Sequence, residues 1–110
     1  MINNRIIEQL KILENLSKAD GGSELLERSL AKIIDYEIAL AKQQAAELEA
    51  ELQEFERRYK MRSPEFYQRF KNGELGDDID FVEWSSFYKM KLSLEKRLGV
   101  LEGKITDASR

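Results

Sequence analysis

The sequence contains no cysteine and no histidine. Without cysteine the chain cannot form a disulfide, a thiolate nucleophile or a thiolate metal site. Without histidine it cannot form a histidine-ligated zinc site or use imidazole as an acid or base. No apolar run approaches the roughly 20 residues that span a bilayer. The N-terminal stretch "MINNRIIEQLKILENL" carries charges throughout, unlike a signal peptide. We therefore expect a cytoplasmic protein with no membrane partner.

Motifs for catalysis or for ion binding are also lacking. No activated nucleophile, phosphate-binding loop or oxyanion site is evident, so we predict no enzyme activity, no cofactor and no metal. Asp78, Asp80 and Glu83 could suggest a cation site, but the other ligands of a calcium loop are missing and helix capping explains these residues better. The net charge is only −3, and the basic run "ERRYKMR" precedes an acidic block, so we do not predict a nucleic-acid partner.

What remains is the composition of a helical protein. The 110 residues are 42% hydrophobic and 35% charged, with a single proline. This length fits one domain, over 1–110. Apolar periodicity, paired glycines and capping residues predict four helices, over residues of about 2–17, 23–62, 64–72 and 79–105.

Two of these helices carry heptad-like apolar seams. The seam of the second helix has alternating spacings of four and three and consists of Ile34, Ile38, Ala41, Ala45, Leu48, Leu52, Phe55 and Tyr59. The seam of the fourth helix consists of Trp84, Phe87, Lys91, Leu94, Leu98, Leu101 and Ile105. A helix as long as the second needs another helix along it. The predicted fold is therefore all-α: a long antiparallel, coiled-coil-like helical hairpin with a short N-terminal helix and a short helix at the tip.

Capping residues mark where the helices begin. Ser23 is predicted to cap the second helix, and Ser63 to cap the third, with Pro64 at its first position. Asp77, Asp78 and Asp80 all offer caps for the fourth helix, and Asp80 with Glu83 matches a capping box. Ile79 and Trp84 are then at the offset of a hydrophobic staple.

The region between the seams, residues 55–88, is named the tip, and its chemistry is concentrated. Nine of the ten aromatic residues lie in it. Six basic residues and one acid fall between Arg57 and Lys71, whereas five acids and no base fall between Glu74 and Glu83. Two interpretations are open. The aromatics could form a small core with charges paired across it, or some could stay exposed beside arginines as hot spots for a protein partner.

Part of the tip resembles a known sequence pattern. Residues 55–90, "FERRYKMRSPEFYQRFKNGELGDDIDFVEWSSFYKM", are similar to small helical proteins of bacteria and archaea that share "GELGDD" followed by "DFxEW". Several members of that group are encoded beside TumE-type toxins, so the resemblance implies a candidate antitoxin. Position 60 is Lys where the pattern commonly has Gly, and this change could extend the second helix.

We accordingly predict a non-enzymatic protein-interaction module, an antitoxin that occludes a small toxin through the tip. The alternative is a structural coiled-coil or adaptor protein that acts by self-association. Uncovered apolar stripes favour a homo-oligomer, most simply a dimer. The predicted partner-binding residues are Arg58, Tyr59, Arg62, Phe66, Phe70, Glu74, Leu75, Asp77, Asp78, Phe81 and Trp84.

Overall fold

The computed structural model describes residues 4–19 and 22–104, which form four α-helices and no strand. The helices are α1 (Asn4–Lys18), α2 (Glu24–Tyr59), α3 (Ser63–Lys71) and α4 (Ile79–Leu101). The predicted all-α class is confirmed. The predicted first residues of the N-terminal helix, 2 and 3, and the predicted last residue of α4, 105, lie outside the described residues. None of the described helices is long and apolar enough to cross a membrane.

The chain groups by contact into two compact units, and α2 contributes to both. Unit 1 is Met1–Tyr36 and unit 2 is Glu37–Arg110. The prediction of one domain over the whole chain stays a prediction.

Unit 1 contains α1 and the first third of α2. The Oγ of Ser23 accepts a hydrogen bond from the backbone N–H of Leu26 at 3.2 Å, which satisfies one of the free donors at the start of α2. The predicted Ser23 cap is therefore confirmed. In contrast to α2, helix α1 has no buried residue.

Unit 2 is the predicted antiparallel hairpin. Side chains of α2 and α4 meet in opposite order along the two helices: Glu37 pairs with Arg97 near one end, and Arg58 with Asp80 near the other. The residues of α2 that become buried are Ala41, Leu48, Leu52 and Phe55. All four belong to the predicted seam, so within unit 2 the seam is the face that α2 turns to the core. Ile34, the first residue of the predicted seam, lies in unit 1 and is 43% exposed.

The end of α2 differs from the prediction. The helix was predicted to reach residue 62 but ends at Tyr59, because Lys60 adopts a left-handed conformation with φ 54°. The N–H of Met61 donates to the carbonyl oxygen of Glu56 at 3.4 Å, which is the 6→1 bond of a Schellman motif. Lys60 thus terminates the helix, and the expectation that it would extend the helix is wrong. The glycine common in the related pattern would adopt this conformation without steric cost.

Replacing Lys60 by glycine is therefore expected to stabilise the protein. A left-handed non-glycine residue costs about 1–2 kcal/mol, and glycine removes most of this cost, so the free energy of unfolding should rise by about 1 kcal/mol. Urea denaturation followed by circular dichroism measures this free energy.

Gly73 ends α3 with the same motif at φ 77°, and a β-carbon there meets nothing within 4 Å. Gly73→Ala is the matched reverse control and should destabilise. A Lys60→Gly variant less stable than the parent would contradict this account.

The starts of α3 and α4 also differ in detail. Helix α4 is capped by Asp78, whose carboxylate accepts from the N–H of Asp80 at 2.9 Å. Asp78 is one of the three predicted candidates, and the capping-box assignment to Asp80 is wrong. The predicted staple is absent because Ile79 is 77% exposed. Helix α3 has Arg62 at its cap position without a side-chain cap bond, and Ser63 lies inside the helix.

Candidate functional site

The aromatic residues of the tip form a stacked core. The Trp84 indole lies between two phenyl rings: Phe66 of α3 at 3.8 Å between centroids, with planes 2° apart, and Phe55 of α2 at 5.5 Å and 10°. Trp84 and Phe66 are both 0% exposed. One indole on α4 therefore joins α2 to α3, and the short helix is held in place by apolar burial.

Polar groups tie the same three helices together. The Nε1–H of Trp84 donates to the Oγ of Ser63 at 2.9 Å, and the backbone N–H of Ser63 donates to the Oε2 of Glu56 at 2.8 Å. Within the described residues, no buried side-chain nitrogen or oxygen lacks a hydrogen-bond partner. Because a buried donor without a partner costs free energy, this pairing helps to fix the position of the indole.

The remaining tip aromatics pack around this centre without being fully buried. Tyr59 meets Phe81 edge to face at 5.1 Å, and Tyr67 meets Tyr88 at 5.0 Å. The partly buried hydrophobic residues packed on the core are Tyr59, Met61, Tyr67, Phe70, Leu75, Phe81, Phe87 and Tyr88. The only large exposed hydrophobic residues of the tip are Ile79 and Val82. The aromatic centre of the tip is thus closed to solvent, whereas the hydrophobic residues packed around it keep part of their surface exposed.

A small polar cluster closes one side of the tip. The Asp80 carboxylate accepts from the hydroxyl of Tyr59 at 2.6 Å and from the guanidinium of Arg58 at 2.8 Å. These bonds, from Tyr59 first and then from Arg58, hold the pKa of Asp80 below its ordinary value. The same bond raises the pKa of Tyr59, because ionisation of the phenol would bring two negative charges together. The two shifts share a cause, because one hydrogen bond favours both the ionised carboxylate and the neutral phenol.

The sorted charge blocks pair only in part. Asp80 pairs with Arg58, and Glu74 lies 3.3 Å from the Nε of Arg69. No ion pair within the described residues involves Arg62 or Asp77, both exposed. Pairing between the two blocks therefore supports the first of the two interpretations, but only through exposed contacts that add little stability.

Two of the predicted partner-binding residues need correction. Phe66 and Trp84 lie in the core because they stack on each other, so neither presents a surface to a partner. Tyr59, Phe70, Leu75 and Phe81 pack against that core with part of their surface exposed. The polar ones lie at the surface, and three of them have intramolecular roles: Arg58 pairs with Asp80, Glu74 pairs with Arg69, and Asp78 caps α4. Partner binding by the exposed residues stays a prediction.

Three polar residues that organise the tip were absent from the predicted set. They are Glu56, Ser63 and Asp80. For Asp80, the opposed charge blocks in the sequence were a usable signal. For Glu56 the sequence contains no comparable signal. It contains none for Ser63 either, because a serine before a proline predicts an N-cap more simply than a buried acceptor for an indole.

Exposed apolar surface is concentrated outside the tip. Of the fifteen large hydrophobic residues described as exposed, ten lie in unit 1. These ten, named the unit 1 apolar surface, are Ile6, Ile7, Leu10, Ile12, Leu16, Leu25, Leu30, Ile33, Ile34 and Tyr36. Both helices of unit 1 therefore expose large apolar side chains, and an exposed apolar region is a candidate interaction site.

Each unit also carries a groove between two helices. In unit 1, α1 and α2 flank a groove of about 540 Å³, with Leu13, Leu26 and Leu30 as its apolar residues and Glu14, Glu24 and Glu27 as its charged ones. In unit 2, α2 and α4 flank a groove of about 600 Å³.

Comparison with protein-family models, with curated proteins and with solved structures finds no match.

Proposed function

We propose that this chain is a non-enzymatic protein-interaction module that binds a protein partner through the unit 1 apolar surface. The observation that carries the proposal is the contrast within α2. Its buried residues all lie in unit 2, whereas Leu30, Ile33 and Ile34 in unit 1 are exposed. Apolar surface of this extent costs free energy in water, and a partner that covers it recovers that energy.

The charges around this surface define the chemistry of the partner. All three charged residues that line the unit 1 groove are acidic: Glu14 pairs with Lys18 and Glu24 with Arg28, whereas Glu27 has no ion pair within the described residues. An amphipathic helix or loop with apolar side chains and flanking lysines or arginines would complement both features. The apolar contacts would supply affinity, and the opposite charges would set orientation and association rate.

The resemblance of residues 55–90 to candidate antitoxins suggests a class for this partner, a small toxin encoded beside the gene. In this proposal the module inhibits by occlusion, since the toxin surface covered by unit 1 is unavailable to its target. The tip then acts as a rigid folded end of the hairpin, because its aromatic residues pack on one another.

Co-expression with the product of a neighbouring toxin-like gene tests the proposal. Wild type should restore growth, and Leu10→Lys with Ile33→Lys should abolish rescue and weaken binding by tenfold or more, because two apolar contacts become charged. The matched control, Arg62→Glu with Asp77→Lys, changes two exposed tip residues and should retain rescue. Circular dichroism verifies that both variants remain helical.

The opposite pattern would contradict this assignment. Loss of rescue by the tip pair alone would place the binding surface on the polar face of the tip. A neighbouring gene product that neither inhibits growth nor binds the wild-type chain would remove the antitoxin function.

A further inference from the structure

The groove between α2 and α4 in unit 2 has an apolar floor that the chain leaves open. Its apolar lining residues are Leu48, Phe87, Met90 and Leu94. Leu48 is buried, Phe87 and Leu94 are half-buried, and Met90 is 50% exposed. A flexible, polarisable Met side chain beside an aromatic ring adapts readily to an apolar surface placed against it.

The two rims of this groove carry opposite charge. Glu47 and Glu51 line it on the α2 side, and Lys89 lines it on the α4 side. All three are exposed, and none forms an ion pair within the described residues. The acidic rim and the basic rim are therefore free to pair with charges on another molecule.

A face with one acidic and one basic rim is complementary to itself. A second copy can be placed by a 180° rotation about an axis parallel to the axes of α2 and α4. In this arrangement α2 of each copy lies on α4 of the other, so the acidic rim of each copy faces the basic rim of the other. Phe55 lies level with Trp84, and the two helices run in opposite directions, so Glu51 of one copy comes level with Lys89 of the other. A two-fold axis perpendicular to the helices, running from α2 to α4, would instead place the acidic rim of one copy on the acidic rim of the other, which like-charge repulsion disfavours.

The groove would form the apolar centre of such a contact. It is lined by residues between 44 and 51 of α2 and between 87 and 94 of α4, about two turns of each helix. Four helices around one apolar core are also a common stable arrangement.

From these observations we infer that the α2–α4 groove binds a second copy of this chain and forms a two-fold, four-helix dimer. This inference does not rest on the proposed function, because every residue it uses lies in unit 2. The dimer is held by the apolar floor around Met90 and oriented by the Glu51–Lys89 pairs.

Light scattering and sedimentation of the purified full chain at tens of micromolar test the dimer. Wild type should have twice the chain mass of 12.8 kDa. Met90→Glu should raise the dimer dissociation constant tenfold or more, because it places a charge on the apolar floor. Glu51→Lys and Lys89→Glu should each weaken the dimer, and the double charge swap should restore it, because the reversed charges again meet in opposite pairs.

Two controls separate this dimer from other contacts. Leu10→Lys with Ile33→Lys changes only unit 1 and should leave the dimer mass unchanged. A wild-type mass of 12.8 kDa at these concentrations would overturn the inference. A dimer that resists Met90→Glu and dissociates in the unit 1 variant would overturn it too, and would place self-association on unit 1.

Discussion

Replacing Trp84 by alanine is expected to lower the free energy of unfolding by about 3–5 kcal/mol, the range for a large aromatic residue removed from a core. Trp84 is fully buried, stacks against rings of α2 and α3, and donates a hydrogen bond to Ser63. Its loss opens a cavity where three helices meet. Because small domains are stable by only about 5–15 kcal/mol, this single change removes a large share of the total.

Urea denaturation monitored by circular dichroism measures the effect, since the variant lacks the only tryptophan of the chain. Trp84→Phe keeps a stacked ring and loses the hydrogen bond, so it should have an intermediate stability. Ile79→Ala, five residues earlier on the same helix and mostly exposed, is the matched control and should change stability by no more than about 0.5 kcal/mol. A loss below 1 kcal/mol for Trp84→Ala would show that the indole is not in the core.

The second large effect is expected for Phe66→Ala, also about 3–5 kcal/mol. Phe66 is the buried side chain that fixes α3, and it contacts rings of Phe70, Phe81 and Trp84. A helix of nine residues is marginal by itself, so α3 should lose its structure when this contact is removed. Amide hydrogen exchange should then show lost protection over α3 before the rest of α2 and α4.

The contact between Phe66 and Trp84 should make the two losses non-additive. The Phe66→Ala, Trp84→Ala double variant is expected to lose less stability than the two single changes together, with a coupling of about 0.5–3 kcal/mol. Phe66→Ala combined with Ala41→Gly, at the far end of the hairpin, is the control pair and should be additive. Additive losses for Phe66 and Trp84 would contradict direct stacking.

The sequence predicted the long-range features of the hairpin well, for a physical reason. The seam of α2 repeats every three or four residues over many turns, so one helix face is specified redundantly. The cap at Ser23 was also predictable, because a capping serine after glycines acts locally. The end of α2 was not predictable, because no neighbouring residue indicates that Lys60 adopts a left-handed conformation.

The candidate site was predictable only in outline. The concentration of aromatic residues and the opposed charge blocks located the tip. They did not predict which tip side chains are exposed, because that depends on contacts between residues far apart in the chain. Trp84 donates to Ser63, 21 positions earlier, and the cap at Asp78 leaves Asp80 free to accept from Tyr59 and Arg58. The local sequence fitted a cap at Asp80 with a hydrophobic staple between Ile79 and Trp84. In the structure Trp84 packs against α3 instead of against Ile79, so the staple does not form.

Phe66 and Trp84, the buried members of the predicted partner-binding set, stabilise the tip. Apolar residues that remain open to solvent lie in unit 1 and in the α2–α4 groove, the two surfaces that we propose for partners. A stacked, hydrogen-bonded tip holds α2 and α4 in register, so the groove keeps its shape before any partner binds.

The most direct test of this account is the fluorescence of the wild-type protein, because Trp84 is the only tryptophan. Burial between two phenyl rings should give blue-shifted emission and strong protection from quenching by iodide and acrylamide, unchanged when a partner saturates unit 1. Emission at the wavelength of free indole in water, with quenching as efficient as for a tryptophan peptide, would show that Trp84 is exposed. That result would contradict the aromatic core and restore the tip as the binding surface.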